Sequence, residues 1–165
     1  GPTPPTPRAQ AAPQTNPRPP PRPPARPAAA RDPAWSARRD RIASVLAEAD
    51  RLADLVDLIG ITALPDQERV SVLAGRLVRE GVLRQSALSP HDAYCGPDKA
   101  AALAEAVLAV VDRCRELVAS GLPAATVETV DFGPVLRAGE DVGPHDAEGV
   151  RARREAMLAR LGELR

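Results

Sequence analysis

Apolar side chains recur every three or four residues in four stretches of this chain, and this spacing constrains its fold more than any other feature. The stretches cover residues 42–59, 70–78, 103–118 and 150–164. The spacing places apolar side chains along one face of a helix, and no stretch alternates with the two-residue period of a strand. Gly75 and Gly81, in the second helix, indicate close packing by a neighbour. The sequence therefore predicts an all-α bundle of about four to five helices.

Residues 1–33 have a composition that cannot contribute to such a core. They are dominated by Pro, with Ala, Arg and Thr between the prolines. Such a segment favours extended polyproline II and has too little apolar surface to offset the entropy lost on ordering. We therefore predict a disordered Pro-rich arm or linker over residues 1–33 and a helical domain over residues 34–165. Residues 19–24 also fit the P-x-x-P pattern, so docking of the arm into an aromatic groove is the alternative to a simple spacer.

The formal charge of the chain is zero, but it is unevenly distributed. Every charged residue before Asp32 is an arginine, whereas the helical region holds more acidic than basic residues. An acidic helical body disfavours nucleic acid as the main partner. No apolar run is long enough to cross a membrane, so direct membrane insertion is not expected.

The cysteines and histidines indicate neither a disulfide nor a metal site. Cys95 and Cys114 lie apart with no C-x-x-C motif, which is typical of reduced thiols in the cytoplasm. Cys114 falls on the apolar face of the third helix and is predicted to fill the core. His91 and His145 have no neighbours at ligand spacing, so no metal site is predicted. No residue is identified as catalytic.

The segment between the first two apolar stretches has the features of a tight helical corner. Gly60 is suited to end the first helix because glycine tolerates a left-handed cap. Pro65 fits a first helical position, since its missing N–H would have no partner there. Asp66 and Glu68 then place negative charge at the positive end of the next helix dipole. Gly121 is predicted to end the third helix in the same way as Gly60 ends the first.

Several short motifs follow one another through and beyond this corner. They read A-L-P-D-Q-E-R-V from residue 63, R-L-V-R-E from residue 76, Q-S-A-L from residue 85 and H-D-A-Y-C from residue 91. This series resembles the C-terminal domain of the catalytic A subunit of vacuolar/archaeal-type (V/A-type) rotary ATPases. That family shows D-A-L-x-D-x-E-R-L, R-x-x-R-E, Q-N-A-F and V-D-x-Y-C in the same order. The resemblance covers roughly residues 35–125.

The resemblance implies the C-terminal part of the catalytic subunit of a proton-translocating ATP synthase or ATPase, which couples ATP synthesis or hydrolysis to rotation of a central stalk. ATP or ADP with Mg would be the cofactor of the parent subunit. Its partners would be B subunits and the central-stalk subunit, in a cytoplasmic complex peripheral to the membrane. The sequence contains no G-x-x-x-x-G-K-[ST] loop, so this chain alone is expected to be inactive and to need no cofactor. Because it begins at Gly1 rather than Met, a fragment is expected.

The resemblance implies a nucleotide-binding role for the turn at residues 85–88, which corresponds to the family's Q-N-A-F. That turn borders the adenine pocket. Gln85 and Ala87 match it, whereas Leu88 replaces an aromatic residue that would stack on the base. The alternative is that this turn is simply the end of a helix.

The resemblance also implies that the corner faces the central rotor. Its contact residues would be Leu64, Asp66, Glu68 and Arg69, which form a shallow charged surface with limited apolar contact from Leu64. The alternative is a solvated acidic helix start. Residues 120–121 are expected at the opposite end of the bundle.

Two other functions compete with this interpretation. One is a stand-alone helical interaction module that lacks the nucleotide-binding body. The other is an unrelated Pro-rich adaptor, against which the ordered series of motifs counts.

Overall fold

A computed structural model of the chain describes residues 1–5, 7, 9, 11, 33–84 and 97–165. These residues form helices, turns and loops but no strand, which confirms the predicted all-α fold. The helices within the described ranges are α1 (Pro33–Ile59), α2 (Asp66–Val78), α3 (Pro97–Ala119), α4 (Ala124–Glu128), α5 (Gly133–Leu136), α6 (Ala138–Asp141) and α7 (Ala147–Gly162). A 3-10 turn, Ile61–Ala63, precedes α2, and a π-helical turn, Arg79–Leu83, continues it. Most of the predicted arm lies outside the described residues.

Helix α3 lies at the centre of the core. Twelve of its 23 residues are buried, on more than one side of the helix. A helix that is apolar around much of its circumference must be enclosed by several neighbours. Helices α7, α2 and α1 all pack against it, with α4, α5 and α6 completing the enclosure.

Two ion pairs show the direction of α1 relative to α3. Arg38 pairs with Glu105 at 2.7 Å, and Arg41 pairs with Asp112 at 2.6 Å. The residue that comes later in α1 pairs with the residue that comes later in α3, so the two helices run parallel. Helix α2 returns between them, because the corner after α1 reverses the chain.

The two glycines predicted to allow close packing in the second helix do so. A Cβ atom built on Gly75 would overlap the Cβ atom of Ala49 in α1. A Cβ atom built on Gly81 would lie 2.7 Å from Val107 Cγ2 in α3. Both distances are too short for a real side chain, so the absence of a side chain lets α1 and α3 approach α2.

The segment between α3 and α7 contributes to the core, although it lies between the predicted apolar stretches 103–118 and 150–164. The short helices there and the turn between them bury Val127, Phe132, Val135 and Ala138 almost completely. Lys99 fastens this segment to the start of α3: its buried Nζ donates hydrogen bonds to the carbonyl oxygens of Gly139 at 2.7 Å and Val142 at 3.1 Å. A buried ammonium group requires such acceptors.

Replacing Gly75 by Ala is expected to lower the free energy of unfolding by about 1–2 kcal/mol. Overpacking the α1–α2 contact outweighs the gain of about 1 kcal/mol that Ala brings as the better helix former. Gly162→Ala is the matched control, because a Cβ atom there meets nothing within 4 Å. Urea denaturation followed by circular dichroism measures both variants. Equal effects of the two substitutions would contradict the close α1–α2 approach.

Candidate functional site

The corner after α1 is built from a glycine, a 3-10 turn and a proline. Gly60 has a φ of 82°, and its N–H donates to the carbonyl oxygen of Val56 at 2.8 Å, so α1 ends as the sequence predicts. Pro65 lies one residue before α2 rather than at its first position, because its ψ of 149° is extended. Its carbonyl oxygen accepts the N–H of Arg69 at 2.9 Å, which closes the first turn of α2.

Two of the four predicted contact residues, Leu64 and Arg69, make contacts within the domain. Leu64 is only 5% exposed. Arg69 donates from Nε and Nη2 to both carboxylate oxygens of Glu128, at 2.6 and 2.7 Å. The corner packs against the chain that follows α3, so Leu64 is buried and Arg69 is only partly exposed, and the stalk contact of these residues stays a prediction. The hydrogen bond to Glu128 also raises the pKa of Arg69.

Asp66 makes a second connection between the corner and α4. Its side chain is exposed at the start of α2, yet its Oδ1 accepts the N–H of Ala124 at 3.3 Å. The first N–H groups of a helix have no partner within the helix, and Asp66 satisfies one of them for α4. Glu68 is partly exposed. We call the two contacts, Arg69 with Glu128 and Asp66 with Ala124, the corner clamp.

Residues 120–121 lie at the same end of the bundle as the corner, not at the opposite end as expected. Helix α3 runs parallel to α1, so both helices end on the same side. Gly121, with a φ of 107°, ends α3, and the corner clamp holds the next few residues beside α2. The site is therefore two adjacent turns: the corner and the turn at residues 120–123.

Sequence reasoning missed Glu128 and the Ala124 N–H as members of this site. They lie 59 and 58 residues from their partners in the corner. Residues 119–123, just before them, lie within the range 35–125 covered by the resemblance, and this was the one usable signal. Contacts over such separations are decided by how the helices pack.

The predicted nucleotide-binding residues Gln85, Ala87 and Leu88 lie outside the described residues, as do His91 and Cys95. Their role stays a prediction. The structure does show that the π-helical turn Arg79–Leu83 leads directly into this segment. Such turns often occur at functional sites, because they shift the side chains that follow.

The described part of the chain contains no group of three or more His, Cys, Asp or Glu side chains that could hold a metal ion. None of the described helices is long and apolar enough to cross a membrane. Cys114 is buried in the core, as predicted, and burial raises the pKa of its thiol to about 12. A thiol that stays protonated at neutral pH is a poor nucleophile.

Residues 28–125 match the family model described as the C-terminal domain of V and A type ATP synthase. The A subunit of the A-type ATP synthase of Pyrococcus abyssi is 35% identical over 92 residues, which cover 56% of this chain and 9% of the relative. The V-type ATP synthase alpha chain of Anaeromyxobacter dehalogenans is 34% identical over 131 residues, which cover 77% of this chain and 23% of the relative. The A subunit of the A-type ATP synthase of Haloquadratum walsbyi is 30% identical over 132 residues, which cover 79% of this chain and 22% of the relative. The chain thus spans less than a quarter of the length of these relatives.

Reversing the charge of Arg69 is expected to destabilise the corner, and restoring the opposite charge across the clamp is expected to repair part of the damage. Arg69→Glu should lower Tm by several degrees, because two carboxylates would then meet at a partly buried contact. The double variant Arg69→Glu with Glu128→Arg should recover part of that loss. Thermal unfolding by circular dichroism measures the Tm of both single variants and of the double variant. A decrease in Tm of the double variant equal to the sum of the two single decreases would show that the two side chains do not interact.

Cys114 is expected to resist thiol reagents in the folded state. In a Cys95→Ser variant, Ellman's reagent at pH 8 should label no thiol until the chain is unfolded. The raised pKa also predicts a pH effect: above pH 9 the unfolded thiol ionises while the folded thiol does not. Stability should therefore fall by up to about 1.4 kcal/mol per pH unit between pH 9 and 12. Cys114→Ala, compared in the same background, should lack this component of the pH dependence.

Proposed function

The chain belongs to the family of C-terminal domains of V and A type ATP synthases, and from this membership we propose that it is the C-terminal part of the catalytic subunit of a proton-translocating V/A-type ATP synthase or ATPase. In that role it would couple ATP synthesis or hydrolysis to rotation of a central stalk. The stalk would contact the corner between α1 and α2. B subunits would be the neighbours of the parent protein in the complex.

The corner clamp is the observation that supports this proposal most directly. A turn that transmits force to the helices joined to it must not change its own conformation when it is pushed. Arg69 grips both oxygens of Glu128, and Asp66 accepts the N–H of Ala124, so the corner is joined to the chain beyond α3 at two points. A push on the corner would then displace α2, α3 and α4 together, in the way that packed helices move as rigid bodies.

The chemistry of the exposed residues at the corner also suits a moving partner. The exposed residues of the corner include no large apolar side chain; they are Thr62, Ala63, Pro65, Asp66 and Gln67, whereas Leu64 is buried. Such a surface would allow a partner to slide, because no large apolar contact would hold it in one orientation. Asp66 and Glu68 would attract basic side chains of the stalk at a modest gain each, because surface ion pairs are weak.

The nucleotide enters this proposal as a ligand of the parent subunit. The part of the parent subunit that binds the phosphates would hold ATP or ADP with Mg. Gln85, Ala87 and Leu88 would contribute at most the border of the adenine pocket. Leu88 can offer apolar contact but not the stacking that an aromatic side chain provides.

A cysteine crosslink tests the proposed stalk contact. Gln67 is exposed at the corner, so Gln67→Cys, with Cys95→Ser and Cys114→Ala, offers a single thiol there. In an assembled complex of the parent subunit, this thiol is expected to form a disulfide with cysteines placed along the stalk protein. Non-reducing gel electrophoresis detects the product.

The matched control is Ser36→Cys in the same background. Ser36 is exposed near the start of α1, roughly 35 Å along the helix from the corner. It should form no crosslink to the stalk. A crosslink from residue 36 but not from residue 67 would mean that the stalk meets the other end of the bundle, and the proposed role of the corner would be lost.

A further inference from the structure

Residues 124–142, which include α4, α5 and α6, lead from the corner end of the bundle back to its other end. At the corner end, the corner clamp joins α4 to α2. At the other end, the carbonyl oxygens of Gly139 and Val142 accept hydrogen bonds from Lys99, near the start of α3. Lys99 lies roughly 30 Å along α3 from the last residue of that helix, because each residue advances a helix by about 1.5 Å. We call residues 124–142 the brace.

The brace contacts the chain on both sides of residues 85–96. Before them, Leu136 of α5 packs against the π-helical turn, where a Cβ atom built on Gly81 would lie 3.2 Å from Leu136 Cδ2. After them, Lys99 is the third residue of α3. Residues 85–88, the predicted border of the adenine pocket, therefore lie in the sequence between two points that the same segment holds.

Lys99, the single lysine of this chain, is an unusual residue to find inside a helical bundle. It is only 4% exposed, and its partners in the described part of the chain are two carbonyl oxygens rather than a carboxylate. A methionine would fill nearly the same space without the cost of removing a charge from water. The ammonium group adds direction instead, because it donates only to acceptors that lie within hydrogen-bond distance. Its charge therefore fixes the position of the brace relative to α3.

We propose that Lys99 is a positioning residue for base selectivity, which sets the geometry of the adenine-pocket border by holding the start of α3 on the brace. This role rests on the proposed function, in which residues 85–88 border the base. Lys99 itself would not contact the nucleotide. It would act through the chain, because the first turn of α3 and the π-helical turn are held at a fixed separation. Adenine and guanine differ only in the groups at their ring edges, so selection between them depends on the exact shape of such a border.

The competing explanation is that Lys99 only stabilises the fold, and Arg153 of α7 provides the comparison. Arg153 Nη1 donates to the carbonyl oxygen of Pro134 at 3.0 Å and to Asp141 Oδ2 at 2.8 Å. It therefore also joins a charged donor to a carbonyl oxygen of the brace. Neither of its partners, however, lies in the turn before residues 85–96 or in the helix after them.

The first test compares Lys99→Met with the matched control Arg153→Met in the full chain. Both variants should have a lower Tm by circular dichroism, because each leaves a carbonyl oxygen without its charged donor. Only Lys99→Met should change the amide chemical shifts of residues 85–88 in NMR spectra. A second variant, Lys99→Gln, retains a neutral N–H donor of shorter reach and serves if Lys99→Met does not fold.

The second test uses an assembled complex of the parent subunit and measures hydrolysis of ATP and of GTP by phosphate release. Lys99→Met should reduce the ratio of kcat/KM for ATP to that for GTP by about threefold or more. Arg153→Met should leave this ratio unchanged within about twofold. Leu88→Ala, in the predicted border itself, should change the ratio and shows whether residues 85–88 select the base.

Three results would overturn the positioning role. Equal effects of Lys99→Met and Arg153→Met on the ratio or on the chemical shifts would show a general loss of stability. A changed ratio in Leu88→Ala but not in Lys99→Met would leave the nucleotide border standing and remove Lys99 from it. An unchanged ratio in both would remove the border as well. The Gln67 crosslink tests the stalk contact independently of all these measurements.

Discussion

The enclosure of α3 is the constraint from which the rest of the structure follows. Its apolar residues occupy more than one side, so α1, α2 and α7 must all pack against it. Both α1 and α3 pack on α2, and the ion pairs from Arg38 and Arg41 show that α1 runs parallel to α3. Parallel helices end on the same side, and this brings the corner after α1 beside the turn after α3. The corner clamp exists only because of that arrangement.

The ion pairs of this chain differ in what they can do for the fold. Glu48 with Arg51 and Arg113 with Glu116 lie within single helices on exposed faces, where such pairs contribute little. The ion pair of Arg69 with Glu128 is bidentate and partly buried, and it joins segments far apart in the sequence. A contact of this kind determines geometry as well as stability. It fixes the orientation of the corner, the part of the domain that we propose to meet a moving partner.

The corner end of the bundle presents two different kinds of surface. The corner itself exposes no large apolar side chain, since Leu64 is buried. The end of α1 beside it carries exposed leucines bordered by aspartates. The chain spans a minor part of its relatives' length, and in the larger protein that we propose, this end of the domain would face other parts of the complex.

The sequence by itself determined the four long helices of this protein, because their period, caps and glycines are local properties. Gly60 and Gly121 end helices where predicted, and Gly75 marks a close approach that a side chain would prevent. The family resemblance was also readable, as ordered short motifs. Only the tertiary structure decided that Leu64 is buried and that Arg69 has a partner 59 residues away. Helical period states which face is apolar, but what covers that face depends on neighbours that packing brings together, and at Leu58 none of the described residues covers it.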